Sequence, residues 1–366
     1  MKFSIVREEI LSPLQQIVGV IEKRQTMPIL SNVLIVIEPD RLILTGTDLE
    51  IQLVVAITSV SQVQGAITVP ARKFLDICRL LPPGAQIVFE GGGDKVKISS
   101  NKSRFSLSCL PAENYPEFSE SAYEDCFFIN AGKFKRALDK TIFCMANQDV
   151  RYYLNGLLMH ISNRSIKLVA SDGHRLSIYE DQLEHATDIE ARIILPRKGV
   201  LELARLLDDP EADIKIEFTN NNIRIMNKNI VFSAKLVDSK YPDFGKVFQQ
   251  QAFSVLEIPK TNLKEALTRV AILSNEKFKG VTLDIAESAL KLSTHNPEHE
   301  EAEEEISVEY VGEPLSISFN AQYLLDALSN VDSDVAVLTV ASNANTCFIE
   351  EPEVKNYKFV VMPMKL

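Results

Sequence analysis

Residues 3–11 read FSIVREEIL, residues 127–138 read FFINAGKFKRAL and residues 253–267 read FSVLEIPKTNLKEAL. In each, a phenylalanine-led apolar run leads straight into a stretch with helical spacing of its apolar residues. Further along, a second strand feeds a second helix, again three times: ITVPARKFLDICRLL from Ile67, IILPRKGVLELARLL from Ile193 and ISFNAQYLLDALSNV from Ile317. Corresponding points lie about 125 residues apart. Solenoid units are far shorter, so the repeating unit is a whole domain. A tripled domain reads as architecture before catalysis, because an active site rarely needs three copies.

Between the two helices of each repeat lies a pair of apolar runs: NVLIVIEPDRLILTGTD from Asn32, NGLLMHISNRSIKLVASD from Asn155 and KGVTLDIAESALKLSTHN from Lys279. Turns at Pro-Asp, Asn-Arg and Glu-Ser divide them as in a hairpin. Asp48, Asp172 and Asn296 close the pairs at intervals of 124 residues. Two strands close each repeat, the last being RFSLSCL from Arg104, VFSAKLV from Val231 and KFVVMPM from Lys358. Asn130 is placed to cap a helix, and Pro70 and Pro196 fall where a first helical turn needs no N–H. Pro13 should kink or shorten the helix that contains it. The expectation is an α+β chain of three tandem domains, 1–124, 125–252 and 253–366, each a sheet with two helices on one face. Polar stretches at 120–125 and 249–251 read as linkers. Neighbouring domains can pair their sheet edges, but the array still ends in two free edges, a liability that a second chain placed head to tail removes.

The chain has 366 residues and a formal charge of −11. That balance argues against attachment to nucleic acid by overall charge. Five cysteines (Cys78, Cys109, Cys126, Cys144, Cys347) are scattered with no CxxC pair, which fits a reducing compartment and no zinc motif. Charge returns at Arg7, too early for a signal-peptide core, and no apolar run reaches the roughly 18 residues of a membrane span. A cytoplasmic protein without membrane contact or cofactor is expected. Within the acidic whole, segments 70–81, 130–140, 196–207 and 259–269 together carry +9, leaving −20 for the rest. Each helix alone reads as a solvated face with ordinary lysines. Together they read as one positive face suited to a phosphate backbone without sequence readout.

Two constellations invite a catalytic reading. His295 and His299 lie four apart beside Glu298 and Glu300, the spacing of a helical zinc pair, but Pro297 between them opposes a helix. The run reads better as an acidic, partner-facing segment. In Asp172-Gly173-His174-Arg175 the histidine lacks a nucleophile elbow or reactive-cysteine context, so a structural or binding role is preferred. No catalytic residue and no metal site is assigned, and the chain is not read as an enzyme.

Several strings together resemble the family of bacterial sliding clamps, the beta subunits of DNA polymerase III: LTGTDLE at Leu44, TVPARKFLDICR at Thr68, SRFSL at Ser103, QDVRYYLNG at Gln148, SDGHRL at Ser171, PRKGV at Pro196, KLVD at Lys235, LSNEKFKGV at Leu273, NPE at Asn296 and VVMPMKL at the C-terminus. The resemblance runs the length of the chain. It implies a ring of two head-to-tail subunits with helices lining the hole, enclosing duplex DNA without sequence specificity. By position it implies DNA-facing Arg24, Arg72, Gln148, Tyr152, Tyr153, Arg197 and Lys198. At the subunit interface it sets Phe105 and Leu107 against Ile272 and Leu273. There Lys73, Lys95, Lys102 and Arg104 oppose Glu298, Glu300, Glu301, Glu303 and Glu304.

It also implies a pocket for short Gln- and Leu/Phe-bearing motifs of the replicative polymerase, the clamp loader, other polymerases and repair proteins. Leu154, Ser171, Gly173, His174, Arg175, Leu176, Pro242, Lys246 and Val247 would line it, with Phe278, Asn320, Tyr323, Val360, Val361, Met362, Pro363, Met364 and Lys365. Lys95, Lys102, Lys246 and Lys365 stand where arginine is usual in the family, which removes bidentate pairing there. Ser171 replaces a threonine, and Asn147 precedes Gln148 where histidine is common. A tandem-domain scaffold with no DNA role is the alternative reading, and a metal-dependent hydrolase built on His295 and His299 is a more distant one.

Overall fold

The computed structural model describes residues 1–22, 27–58, 61–118, 123, 125–248, 253–341 and 345–365. Six α-helices are found among them: α1 (Arg7–Val20), α2 (Ala71–Leu80), α3 (Ala131–Asp139), α4 (Arg197–Leu206), α5 (Lys260–Val270) and α6 (Ala321–Ser329). None is long and apolar enough to cross a membrane.

Each helix begins on the residue after a strand. Pro70, Pro196 and Pro259 are the last strand residues, one place earlier than the first helical turn expected for Pro70 and Pro196. Asn130 and Asn320 hold the same place and cap with the side chain. Asn130 Oδ1 accepts from the Lys133 amide at 3.0 Å, and Asn320 Oδ1 from the Gln322 amide at 2.9 Å. Helix α1 continues seven residues past Pro13. Its inward residues Ile10, Leu14, Ile17 and Val20 are all fully buried, and that packing offsets the proline penalty of about 3 kcal/mol.

In each repeat a basic residue from the first helix caps the second. Arg7 donates from Nε to the Cys78 carbonyl at 2.9 Å, Lys135 to Ala204 at 2.8 Å and Lys260 to Val331 at 2.9 Å. Carbonyls at a helix C-terminus have no partner within the helix and sit at its negative end, which explains the cation. Lys135 and Lys260, counted in the sequence as part of a positive face, are therefore tied to helix ends.

The chain divides into two compact units, residues 1–135 with 198–236, and residues 136–197 with 237–366. In the first, a five-stranded sheet runs in the order Ser61–Val63, Lys2–Val6, Gln86–Gly92, Lys95–Ser100, Ser103–Ser108. Beside it in the same unit is an eight-stranded sheet: Asp125–Asn130, Asp213–Phe218, Asn222–Asn227, Ile230–Lys235, Ile51–Thr58, Arg41–Thr47, Asn32–Ile37, Gly65–Pro70. The second unit has its own eight-stranded sheet: Glu190–Pro196, Gly156–Ser162, Ser165–Ser171, Arg175–Gln182, Tyr357–Val361, Cys347–Glu350, Val335–Ala341, Phe253–Pro259. Its other sheet has four strands: Glu301–Ser307, Ala289–His295, Gly280–Ile285, Leu315–Asn320. The strands of each repeat are thus shared between two sheets, where one sheet per repeat was expected.

The joints follow one rule. The strand after the hairpin of one repeat pairs antiparallel with the last strand of the next. Leu53 lies opposite Phe232 at the first joint and Ser177 opposite Phe359 at the second. These third strands, Ile51–Thr58, Arg175–Gln182 and Glu301–Ser307, do not stand out in the sequence. In the last, six of seven residues are Glu, Ala or Ser, and only Ile306 is buried. Of the third and last strands that the rule concerns, two have no joint partner among the described residues: Ser103–Ser108 and Glu301–Ser307.

Lys140 is a second departure from a positive helical face. It is only 5 % exposed. Its ammonium lies 2.9 Å from Asp332 Oδ2 and 4.5 Å from the Tyr357 ring centroid, and it donates to the Asn330 carbonyl. Glu351, also buried, accepts from the Asp332 amide and the Tyr357 hydroxyl. Removing the cation leaves Glu351 buried without its counter-charge. Lys140→Ala is expected to cost about 3–5 kcal/mol, seen as a lower urea midpoint with an unchanged slope.

Candidate functional site

The Asp172–Arg175 turn is built from its own polar groups. Asp172 Oδ1 accepts from the amides of His174 (2.9 Å) and Arg175 (3.0 Å), and Ser171 Oγ donates to the Arg175 carbonyl at 2.7 Å. Gly173 sits at φ +89°, a conformation open to glycine. The Arg175 guanidinium bridges Asp172 and Asp326 and lies 4.5 Å from the Tyr323 ring centroid. His174 stacks on the same ring, centroids 6.4 Å apart. Asn320 caps the helix that carries Tyr323. The acid and the base of the turn are thus consumed in holding shape, and no nucleophile is presented.

Next to the turn lies an apolar floor. Leu154, Leu158, Val169, Leu176, Tyr241, Phe348 and Val360 form one buried cluster, with Phe244, Val247 and Phe248 against it. Val360 and Val361 pair with Leu176 and Arg175, and the chain continues past them as a strap. The Met362 amide donates to the His174 carbonyl, and the Met364 amide to that of Ser318, both at 2.8 Å. Met362, Pro363 and Met364 are half-buried, whereas Pro242, Lys246 and Lys365 are exposed. Phe278, 51 % exposed, lines a cavity of about 380 Å³ with Met364, Lys365 and the segment His295–Pro297. The sequence reading missed Leu158, Val169, Phe348 and the wall residues Phe244 and Phe248. The strap was the visible signal, because its methionines break the strand alternation. Such a floor, with a few fixed polar groups at its edge, suits an extended apolar peptide.

The residues implied to face DNA are placed as follows. Arg24 lies outside the described residues. Arg72, exposed, donates to the Ile21 carbonyl at 3.0 Å. Arg197 donates to the Met145 carbonyl at 2.9 Å, and its partial burial lowers its pKa. Lys198 is paired with Glu22 at 3.0 Å and with Asp48. Tyr152 is 75 % exposed, but Tyr153 turns inward, its ring 6.3 Å from Tyr241. Gln148 is exposed at φ +60° beside Val150, which is 88 % exposed. This loop is pinned by Asp149, whose carboxyl the Arg151 guanidinium holds down at about 2.

At the edge strand Ser103–Ser108, Arg104 is exposed and Phe105 and Leu107 point inward; Lys73, Lys95 and Lys102 are exposed. At Glu301–Ser307, Glu301, Glu303 and Glu305 point outward, as do Glu298 and Glu300 before it. Glu304 points inward and is held by Arg269, Nε to Oε2 at 2.9 Å. Ile272 is 76 % exposed and Leu273 half-buried. His295 ends a strand, and His299 sits in a turn at φ +65°, so the pair does not share a helical face. No group of three or more potential metal ligands occurs among the described residues. Burial pushes the Cys78 and Cys347 thiols up to about 12, away from the thiolate that nucleophilic chemistry needs.

Residues 1–119, 128–243 and 246–365 match the N-terminal, central and C-terminal domains of the DNA polymerase III beta subunit. The beta sliding clamp of Pseudomonas putida is 42% identical over 367 residues, covering all of both chains. That of Escherichia coli strain K12 is 41% identical with the same coverage. A crystal structure of the sliding clamp from Pseudomonas aeruginosa bound to griselimycin superimposes with a TM-score of 0.96 at 42% identity, covering 100% of each chain. A Caulobacter crescentus beta sliding clamp, with polyethylene glycol at a putative beta-motif tethering region, gives 0.94 at 32% identity and the same coverage.

A Cβ at Gly173 would stand 2.8 Å from the Arg151 guanidinium. Gly173→Ala is expected to lose roughly 1–2 kcal/mol from the positive φ alone. Urea unfolding measures the loss, and faster amide exchange at His174 and Arg175 locates it in the turn.

Proposed function

Because the chain belongs to the DNA polymerase III beta subunit family, the beta sliding clamps, we propose that it closes as a head-to-tail dimer around duplex DNA and tethers its partners through the apolar cleft. It is a DNA sliding clamp, a processivity factor of DNA replication and not an enzyme. The three matched domains stand in tandem, and we set their limits at 1–124, 125–252 and 253–366. A cytoplasmic location accords with that role.

The joint rule carries the dimer. If the third strand of the last repeat pairs with the last strand of the first repeat in a second copy, the registers of the two internal joints fix the third. Ala302 then lies opposite Phe105, as Ser177 does opposite Phe359 and Leu53 opposite Phe232. The same register sets Glu303 against Arg104 and Glu305 against Lys102. Outward residues meet outward residues throughout, and a slip of one would break that match. Ile272, exposed in the single chain, and Leu273 are assigned to the apolar part of this contact with Phe105 and Leu107.

Retention on DNA is topological, so contacts within the ring need only be weak. Arg24, Arg72, Gln148, Tyr152, Arg197 and Lys198 are the DNA-facing residues of this reading. Lys198 already has two carboxylate partners, so a phosphate would exchange with them, a nearly neutral swap that suits sliding. Such screened contacts weaken steeply with salt. In the cleft, Leu154, Leu176, Val247, Val360 and Met362 take the apolar side chains of a short motif. Ser171, His174, Arg175, Asn320 and Tyr323 fix its backbone and glutamine. The motif's owners are the replicative polymerase, the clamp loader and other polymerases and repair proteins; tethering raises their local concentration at the primer end.

Retention on nicked circular plasmid, followed by linearisation, tests the ring. Loaded clamp is expected to stay on the circle and leave the linear ends, and equal retention on both would refute the reading. The register has its own test by sedimentation equilibrium. Arg104→Glu should weaken the dimer by about 1–2 kcal/mol, roughly tenfold in Kd, and adding Glu303→Arg should restore most of it.

A further inference from the structure

The segment after the last strand of the first repeat contains Tyr115-Pro116-Glu117-Phe118, and that after the second contains Tyr241-Pro242-Asp243-Phe244. Both tyrosines are 6 % exposed and pack on equivalent residues, Tyr115 against Ile29 and Leu30, Tyr241 in the cluster holding Leu154. The strand registers align the surroundings. Leu34 lies opposite Thr45 and Thr68, as Leu158 lies opposite Val169 and Ile194. Gln52 lies opposite Ser233, as Leu176 lies opposite Val360. The frame of the apolar cleft is therefore present a second time, at the first joint. There three floor positions are polar, with Thr45 for Val169, Gln52 for Leu176 and Ser233 for Val360. The position of Phe348, which meets Phe248 at 5.7 Å, is taken by Arg224, 4.2 Å from the Tyr123 ring.

Over this second frame lies an open cavity of about 660 Å³, lined by Leu34, Thr45, Gln52, Tyr115 and Phe118 and rimmed by Glu113 and Glu117. Both glutamates are exposed. We propose that the cavity is a second peptide-binding cleft, taking an extended segment with lysine or arginine where ligands of the apolar cleft carry leucine or phenylalanine. The inference rests on reading the apolar cleft as a peptide site. Carboxylates on the rim favour a cation through charge-assisted hydrogen bonds. Polar groups on the floor reject a leucine that would desolvate them without a partner. The acidic rim also excludes a phosphate backbone.

Two short fluorescein-labelled peptides test this on the full-length protein near physiological salt. One has Gln, Leu and Phe at the motif positions, and the other has lysine in place of both apolar residues. The lysine peptide is expected to bind one per chain and to keep its affinity when Met362–Leu366 are deleted. It should weaken about tenfold or more in Glu113→Gln/Glu117→Gln. In Thr45→Val/Gln52→Leu, the lysine peptide should be lost and the leucine–phenylalanine peptide should rise from one to two per chain by calorimetry. Failure of the lysine peptide on the wild type, or equal binding by the double glutamine variant, overturns the proposal. A wild type that binds the lysine peptide but not the other would support this cleft and overturn the apolar one.

Discussion

Pairing of the third strand of one repeat with the last strand of the next is the interaction on which the structure depends. At each joint the backbone hydrogen bonds of two edge strands are satisfied by a neighbour in the chain. An edge strand left open exposes a row of N–H and C=O groups. The same pairing therefore protects the sheets at the joints, and leaves one last strand and one third strand without a joint partner among the described residues. Those two edges differ in charge, the first with Arg104 and nearby lysines, the second with outward glutamates, so each prefers the other to a copy of itself.

Charge is distributed by task. Of the basic residues counted on the helices, Lys135 and Lys260 serve helix ends, and Lys140 is buried with Asp332 and Glu351. Among the others, Arg72 and Arg197 are each anchored by a carbonyl, and Lys198 is held between carboxylates. Several of these basic groups are thus already engaged within the protein. That agrees with a protein that must enclose DNA without gripping it.

Much of this was legible in the sequence, for a physical reason. The Phe-led strands and the hairpins are local and recur three times, so noise in one copy is corrected by the others, and the cap at Asn130 is local too. The third strands were not legible. Glu301–Ser307 is held by its neighbour strand and by a single buried isoleucine, and its glutamates read as a solvated run. Tertiary placement also decided residues that composition could not. Lys140 looks like any helical lysine, and Tyr152 and Tyr153 are adjacent in sequence, yet one ring faces solvent and the other packs on Tyr241. The cleft was legible at its methionine strap and its Asp-Gly turn, but not at its floor, which is assembled from strands far apart in the chain.

The division of the middle repeat between two compact units bears on synthesis. Ile51–Thr58 pairs at once with Arg41–Thr47 but finds its second neighbour only in Ile230–Lys235. At about 5–20 residues per second, that wait lasts roughly 10–35 s. During it, a long strand with an apolar inward face has one open side while still attached to the ribosome. The nascent first repeat is then a natural client for a holding chaperone. It is also the stage at which two growing chains on one messenger could pair wrongly.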